Sequence, residues 1–421
     1  MTVNTGQLAA WLRPERPADE DVPRAQDAWD RFTAAACEAG LAGLILESAR
    51  AHHLNLPHDA DATLTRRATG TAAHNLSALA ELERLLKAFN REGLEVVLLK
   101  GAALNLSTYD RPDLRPMSDV DLLIAPGDAE AVFGLLQHEG CRRGFDLLRD
   151  DFFPRYHYEV EYLTNGPFPL RIDLHARPLR PLRVSQTLPD DAFHRRARRV
   201  RVGQATALVP APEVMLIHLA AHAAFHGCAR LLWLYDIHRF ARTSREPIDW
   251  DSLVESADRW GLSHAVTEGL ERAAQMLGPV APPEVLDKLR ANRITWRDRL
   301  TLRAAPHDAW SPIAHAAVNL LCTPGIRFKL GYLAALLLPG RGHLAGIYPY
   351  RHPGWVPCAH LWRVVRSLGR IVATPIRLLS SSIRRCGAPK PKAPARLRRS
   401  SGHGGASLGH ATPPLADGRG S

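Results

Sequence analysis

Apolar positions recur every three or four residues through most of the first ninety positions, the spacing that lays one hydrophobic stripe along an α-helix. Ala25–Glu38 and Leu41–Leu54 carry it in Ala-rich form, and Thr71–Phe89 sets Leu76, Leu79, Leu82, Leu85 and Leu86 on one side. Residues 1–90 are therefore expected to form an N-terminal helical region. The period then changes. Leu94–Leu99 is a compact leucine and β-branched run, and Val120–Ile124 is a second one beyond a polar loop containing Pro; both read as core strands. Ala129–Glu139 reads as a short helix. His157–Leu163 and Leu170–His175 read as strands, and the Thr164-Asn165-Gly166-Pro167 link between them suits a hairpin. An Arg-rich segment leads to a further apolar run, Ala205–Val209, so residues 91–210 are expected to be a compact α/β unit.

From Pro212 the pattern is helical again, with Pro and Glu213 making a start signal. Ala211–Arg242 holds one or two helices, and Asp251–Trp260, His264–Leu277 and Pro282–Leu289 follow between Gly and Pro breaks. Residues 211–345 are thus expected to be a helical domain, residues 346–386 a basic amphipathic segment, and residues 387–421, rich in Pro, Gly, Ser, Ala and Arg, a disordered tail. The fold class is α+β: a small mixed sheet with N-terminal helices and a C-terminal helical domain.

Charge sharpens this division. The 421 residues carry a net charge of +11, but residues 351–421 hold 13 basic side chains and one acidic one, so the preceding 350 residues are close to neutral. The bulk basicity therefore belongs to the tail, which reads by default as a solvated extension, its interspersed Arg and aliphatic residues also suiting weak contact with a polyanion or an acidic membrane surface. Six cysteines stand singly with no CxxC pair, which argues against a zinc knuckle or a disulfide framework. No basic-then-apolar leader and no run of 18 apolar residues is present, so a cytoplasmic protein, peripheral at a membrane at most, is expected.

The chemistry concentrates in Met117-Ser118-Asp119-Val120-Asp121-Leu122-Leu123-Ile124. Period two puts Asp119 and Asp121 on one face of a strand start. By itself such a pair more often caps or solvates a loop. Asp173, in Arg171-Ile172-Asp173-Leu174-His175, stands on another strand and is expected beside the pair. Three converging carboxylates repel one another and lose solvent, a conflict that divalent cations resolve. Mg²⁺ takes hard oxygen ligands and serves phosphoryl and nucleotidyl transfer. A second element, Val97-Leu98-Leu99-Lys100-Gly101-Ala102-Ala103-Leu104, ends a strand at a glycine where a helix starts, giving close backbone approach to phosphate, with Lys100 as a positive charge. It lacks the order of a Walker A loop.

Taken in order, the strand with Lys-Gly-Ala-Ala-Leu, the loop with Tyr109 and Arg115, Ser-Asp-Val-Asp-Leu-Leu-Ile and later Ile-Asp-Leu-His resemble the uncharacterised nucleotidyltransferase family of the polymerase-beta-like superfamily, over roughly residues 75–330. The resemblance implies a mixed sheet, Mg²⁺ (with Mn²⁺ as a substitute), and a nucleoside triphosphate as substrate, ATP by default. It implies Gly101 in the phosphate-facing loop, Asp119 and Asp121 as metal ligands, and Asp173 as the third acid. The superfamily commonly has Ser after the glycine; Ala102 stands here and removes a hydroxyl donor, and the interval from Gly101 to Asp119 is longer than usual.

Around this core, Arg115 is expected either to reach the triphosphate or to fix its loop through a carboxylate. His175 shares the face of Asp173, where it is expected to position the metal shell, touch substrate or support a carboxylate, the last suiting a neutral histidine. His218, His222 and His226 stand at i, i+4 intervals on one helix face, either as a packed ladder or closing the cleft, with His222, Arg230 and Asp236 as candidate contacts. The acceptor is open among a small metabolite, a peptide, a protein and an RNA end. Phosphotransfer and a catalytically weak nucleotide-binding or interaction protein are the alternatives.

Overall fold

The computed structural model describes residues 5–144, 155, 156, 158–166, 168–305, 312–338 and 340. The basic segment and the tail expected over 346–386 and 387–421 lie outside the described residues, as does His157, the first residue of the strand expected over His157–Leu163.

Among the described residues, seven strands form one mixed sheet: β1 (Val96–Leu98), β2 (Val120–Ile124), β3 (Arg142–Arg143), β4 (Glu159–Leu163), β5 (Arg171–His175), β6 (Arg198–Val202) and β7 (Ala205–Val209). Their order is β3-β4-β5-β2-β1-β7-β6. β2 is antiparallel to β1 and parallel to β5, so it lies inside the sheet, and all five of its residues are buried. β4 and β5 form the expected antiparallel hairpin.

Two strands were not anticipated from the pattern. In β6, Arg-Arg-Val-Arg-Val, only Val202 is buried, because the strand lies at the sheet edge with Arg199 and Arg201 exposed. Its polar half reads as a loop when only the apolar run is weighed. β3 has two residues, both exposed Arg, on the opposite edge.

The helices Gln26–Glu38 and Ala42–Ala51 fall where the three-to-four spacing sets them, and a helix at Thr5–Leu12 precedes them. The expected Thr71–Phe89 helix is the second half of a 34-residue helix, His58–Arg91. Its buried face runs through Leu64, Leu82, Leu85, Leu86 and Phe89, whereas Leu76 turns outward and is 57% exposed. After the sheet, Ala211–Arg242 resolves into two helices, Pro212–Phe225 and Leu231–Thr243, broken where Gly227 and Cys228 adopt positive φ.

One hydrophobic core runs from Leu8 to Ala305 and joins the N-terminal helices, the sheet and the Pro212–Leu289 helices. Helix Ser263–Leu277 approaches Pro212–Phe225 so closely that a Cβ on Gly269 would stand 2.3 Å from the Ala220 carbonyl oxygen. No helix among the described residues is long and apolar enough to cross a membrane.

Candidate active site

Parallel pairing of β2 with β5 sets Asp121 directly opposite Asp173, while β4 sets Glu161 opposite Asp173 and Glu159 opposite His175. Acidic side chains thus occupy adjacent positions across three neighbouring strands. Ile172 and Leu174 alternate with Asp173 and are fully buried, which fixes the face on which the acid stands.

Asp121 is 2% exposed and holds two donors on one oxygen. Lys100 Nζ donates to its Oδ1 at 2.6 Å and His175 Nε2 donates to the same atom at 2.8 Å. Burial disfavours the carboxylate, but Lys100 and His175 outweigh it and hold the pKa far below the usual carboxylate range. Burial likewise opposes the charge on Lys100, yet Asp121 first, then Glu159 and Asp119, keep it protonated and raise its pKa. Lys100 has φ of 42°, a left-handed conformation unusual for a non-glycine residue, at the first position of helix Lys100–Ser107.

Asp119, half-buried just before β2, is paired with Arg171, whose Nε also lies 3.7 Å from Asp173 Oδ1 and whose Nη1 lies 3.9 Å from Glu161 Oε2. One guanidinium therefore gathers Asp119, Asp173 and Glu161. Asp173 still carries an excess of negative charge around it: burial, then Asp121, Glu159 and Asp119, push its pKa up to about 6.

The loop before Asp119 is anchored from outside the sheet. Buried Asn75, on the long N-terminal helix, donates to the carbonyls of Pro112 and Arg115 at 2.8 and 2.7 Å and accepts from Met117 N at 3.1 Å. Arg115 does not stand free for a triphosphate. Its Nε and Nη2 meet both oxygens of Asp236 at 2.9 and 2.8 Å, and Tyr109 donates to Asp236 Oδ1 at 2.8 Å. Arg115 is thus engaged in the loop-fixing role, one of the two expected for it, and Asp236, a candidate for substrate contact or support, is its buried partner.

Gly101 has a reason beyond phosphate approach, since a Cβ there would lie 2.6 Å from Arg115 Nη1. Ala102 is fully buried in the core, so a serine hydroxyl there would need an internal partner.

The histidine helix packs as a ladder. His218 Nε2 donates to the Pro178 carbonyl at 3.1 Å, and burial pushes its pKa down to about 3. The rings of His222 and His226 stand 4.6 Å apart, each against Trp233 at 4.9 and 5.2 Å, and Arg230 covers the Trp233 ring at 4.9 Å. His222, Arg230 and Trp233 also line a cavity of about 580 Å³ together with Lys100, Gly101, Arg115, Asp119 and Asp121. The ladder thus packs internally and forms one wall of the cleft.

Glu159, Glu161, Arg171 and Asn75 were not singled out from the sequence. For the first three a signal was present: Glu159 and Glu161 alternate on a strand paired with that of Asp173, and Arg171 precedes Asp173 by two. Nothing local marks Asn75, whose partners lie about 40 positions away.

The acidic residues suit a hard divalent cation in kind, being all-oxygen donors, and burial first, then the Asp121, Glu159 and Asp119 carboxylates, raise the pKa of Asp173 against the opposing pull of Arg171. In the present arrangement the carboxylates turn to Lys100 and Arg171, and among the described residues no group of three or more His, Cys, Asp or Glu is gathered closely enough to hold a metal ion.

Comparison with known proteins places these features in a family context. A family model described as "Uncharacterised nucleotidyltransferase" matches residues 25–278. A solved structure of an antigenic nucleotidyltransferase-like protein from Paracoccidioides brasiliensis is similar at 14% identity and a TM-score of 0.30, covering 52% of this chain and 95% of that one. No curated protein matches.

Proposed function

The chain belongs to the uncharacterised nucleotidyltransferase family, and from that premise we propose that it transfers a nucleoside monophosphate from a nucleoside triphosphate to an acceptor, with release of pyrophosphate. The observation that carries this reading is the placement of Asp121 opposite Asp173 on parallel strands, with Asp119 beside them, next to a cavity floored by Lys100 and Gly101. ATP is the nucleotide to test first.

Mg²⁺, or Mn²⁺ in its place, held by Asp119, Asp121 and Asp173, would supply charge neutralisation at the reacting phosphate and increase the acidity of the attacking hydroxyl. The remaining work falls to the chain. The N–H groups of Lys100 and Gly101 open a helix beside the cavity and have no intrahelical acceptor, so they are donors for phosphate oxygens. Lys100 adds positive charge at the same place. Arg115, clamped by Asp236 and Tyr109, keeps the loop rigid beneath the triphosphate. Asp173, poised near neutrality, takes the acceptor proton.

A nucleotide-binding protein of weak activity is the reading that competes, and the engagement of Asp121 by Lys100 and His175, with Ala102 in place of a serine, favours it. The two separate on incubation with each of four nucleoside triphosphates, labelled at the α-phosphate or, in parallel, at the γ-phosphate, with Mg²⁺ and a cell extract. Label transfer with pyrophosphate, lost in Asp119→Ala, supports the transferase. Saturable nucleotide binding without turnover supports the binding protein, and movement of a γ-label supports phosphotransfer.

A further inference from the structure

Helix Pro312–Cys322 and helix Ile326–Leu337 are the last two among the described residues, and the second is apolar on two opposite sides. Its inner side is packed. Tyr332 and Ala335 are buried in a cluster with Leu182, and the rings of Phe328 and Tyr332 stand 5.2 and 5.6 Å from that of Tyr156. A Cβ on Gly331 would stand 2.3 Å from the Tyr156 hydroxyl oxygen, so the helix meets that side chain closely. These contacts fix its rotation about its own axis.

Ile326, Leu330, Leu333 and Leu337 then follow at intervals of four, three and four along the outer side. Ile326 is 68% exposed, Leu330 59% and Leu333 37%, and Leu321 and Leu338, on either side of the helix in sequence, are exposed too. Five of the eight large apolar side chains exposed among the described residues fall in this one stretch. Apolar side chains exposed singly are ordinary, whereas a contiguous stripe marks a contact surface.

Charge identifies what the stripe meets. Helical spacing puts Arg327 on one flank of it and Lys329 on the other. From Ala309 to Ala416 the sequence holds 15 Lys and Arg and no Asp or Glu. The occupant is therefore apolar where it meets the leucines and anionic around them. A second copy would set the same uncompensated cations against themselves, and residues 341–416 of the chain carry no acid to offer. A nucleic acid would satisfy the cations and leave the leucines in water. An anionic lipid surface satisfies both groups, acyl chains taking the stripe and headgroups the cations.

We infer that the outer side of helix Ile326–Leu337 docks on an anionic lipid surface. Its 12 residues, at about 1.5 Å each, fall short of the roughly 30 Å of a hydrocarbon core, so the helix lies along the surface. A stripe this short anchors weakly by itself, and stable attachment takes a second signal. The basic sequence that follows supplies it, and each of the two is required.

The test needs no turnover, and so stands whether or not nucleotidyl transfer does. The full chain is sedimented with vesicles of phosphatidylcholine, alone or mixed with phosphatidylserine, and run on heparin, which reads charge without an apolar phase. Binding is expected to the mixed vesicles and not to phosphatidylcholine alone. Ile326→Ala, Leu330→Ala and Leu333→Ala combined keep helix propensity. They are expected to weaken binding to the mixed vesicles at least tenfold, with the salt that elutes the protein from heparin unchanged. Leu76→Ala, at an exposed leucine of the long N-terminal helix, is expected to change neither. Should the triple variant melt early, Leu330→Gln alone is expected to weaken vesicle binding at least threefold with an unchanged melt. Failure of the full chain to bind mixed vesicles would overturn the assignment, as would equal binding by the full chain and its outer-side variants, or equal losses on vesicles and heparin. A fall in mass at sedimentation equilibrium on the triple substitution, with vesicle binding intact, would give the face to a second copy instead.

Discussion

Asp121 is buried, ionised and shared between Lys100 and His175, while Asp173, its neighbour across the strand pair, is held near neutrality. Two carboxylates in adjoining positions are thereby set for different tasks, one as a permanent anion and one able to exchange a proton near neutral pH. Asp121→Asn keeps shape and removes the charge; turnover is expected to fall at least about 100-fold, with a thermal melt that remains cooperative, as steady-state rates and circular dichroism will show. Asp236 has a structural burden instead. Burial works against the charge on Arg115, and Asp236 and Tyr109 outweigh it. Asp236→Ala strands a buried guanidinium, so urea unfolding should show a loss of about 3–5 kcal/mol. The acids Asp119, Asp121 and Asp173 stand out in the sequence because period two and a flanking apolar run are local properties. The pairing of Arg115 with Asp236 joins residues 121 positions apart, and no local pattern distinguishes a clamp from a ligand contact.

At the scale of elements, strands are legible where burial is two-sided: Val120–Ile124 and Ala205–Val209 have the expected bounds. Arg198–Val202 is not, because an edge strand exposes the alternate positions that make it look polar. The Pro212–Phe225 helix carries a pH dependence of its own. His218 is fully buried with a folded pKa of about 3, against 6.5 unfolded. The folded pKa is depressed, so the neutral ring is the stable form in the fold. Stability is full above about pH 6.5 and declines as pH falls toward 3, since the unfolded chain takes the proton first. Between pH 7 and pH 5 this histidine is expected to account for a loss of about 2 kcal/mol. His218→Gln retains a donor for the Pro178 carbonyl and should reduce that loss by a similar amount in denaturation midpoints compared at the two pH values. A slope unchanged by the substitution would show that the ladder is not the origin of acid sensitivity.

For the molecule as a whole, the net charge and the candidate site lie in different stretches of the sequence. The +12 of residues 351–421 is absent from the rest of the sequence, which is nearly balanced, and the candidate site is built from residues between Asn75 and Asp236. Removal of residues 351–421 is expected to leave kcat/KM within about twofold and to abolish retention on heparin or on acidic vesicles; cosedimentation and rate measurements on the same preparation check both. Loss of folding on that deletion would mean that the core extends past residue 350. The central claim, nucleotidyl transfer, is tested most directly with ATP labelled in the adenine base, at the α-phosphate and at the γ-phosphate. The account predicts that base and α-label enter the acceptor together in equal amounts, that the γ-label appears in pyrophosphate with one pyrophosphate per transfer, and that Asp121→Asn suppresses both. Entry of the γ-label into the acceptor, or its release as inorganic phosphate without transfer of the base, would contradict it.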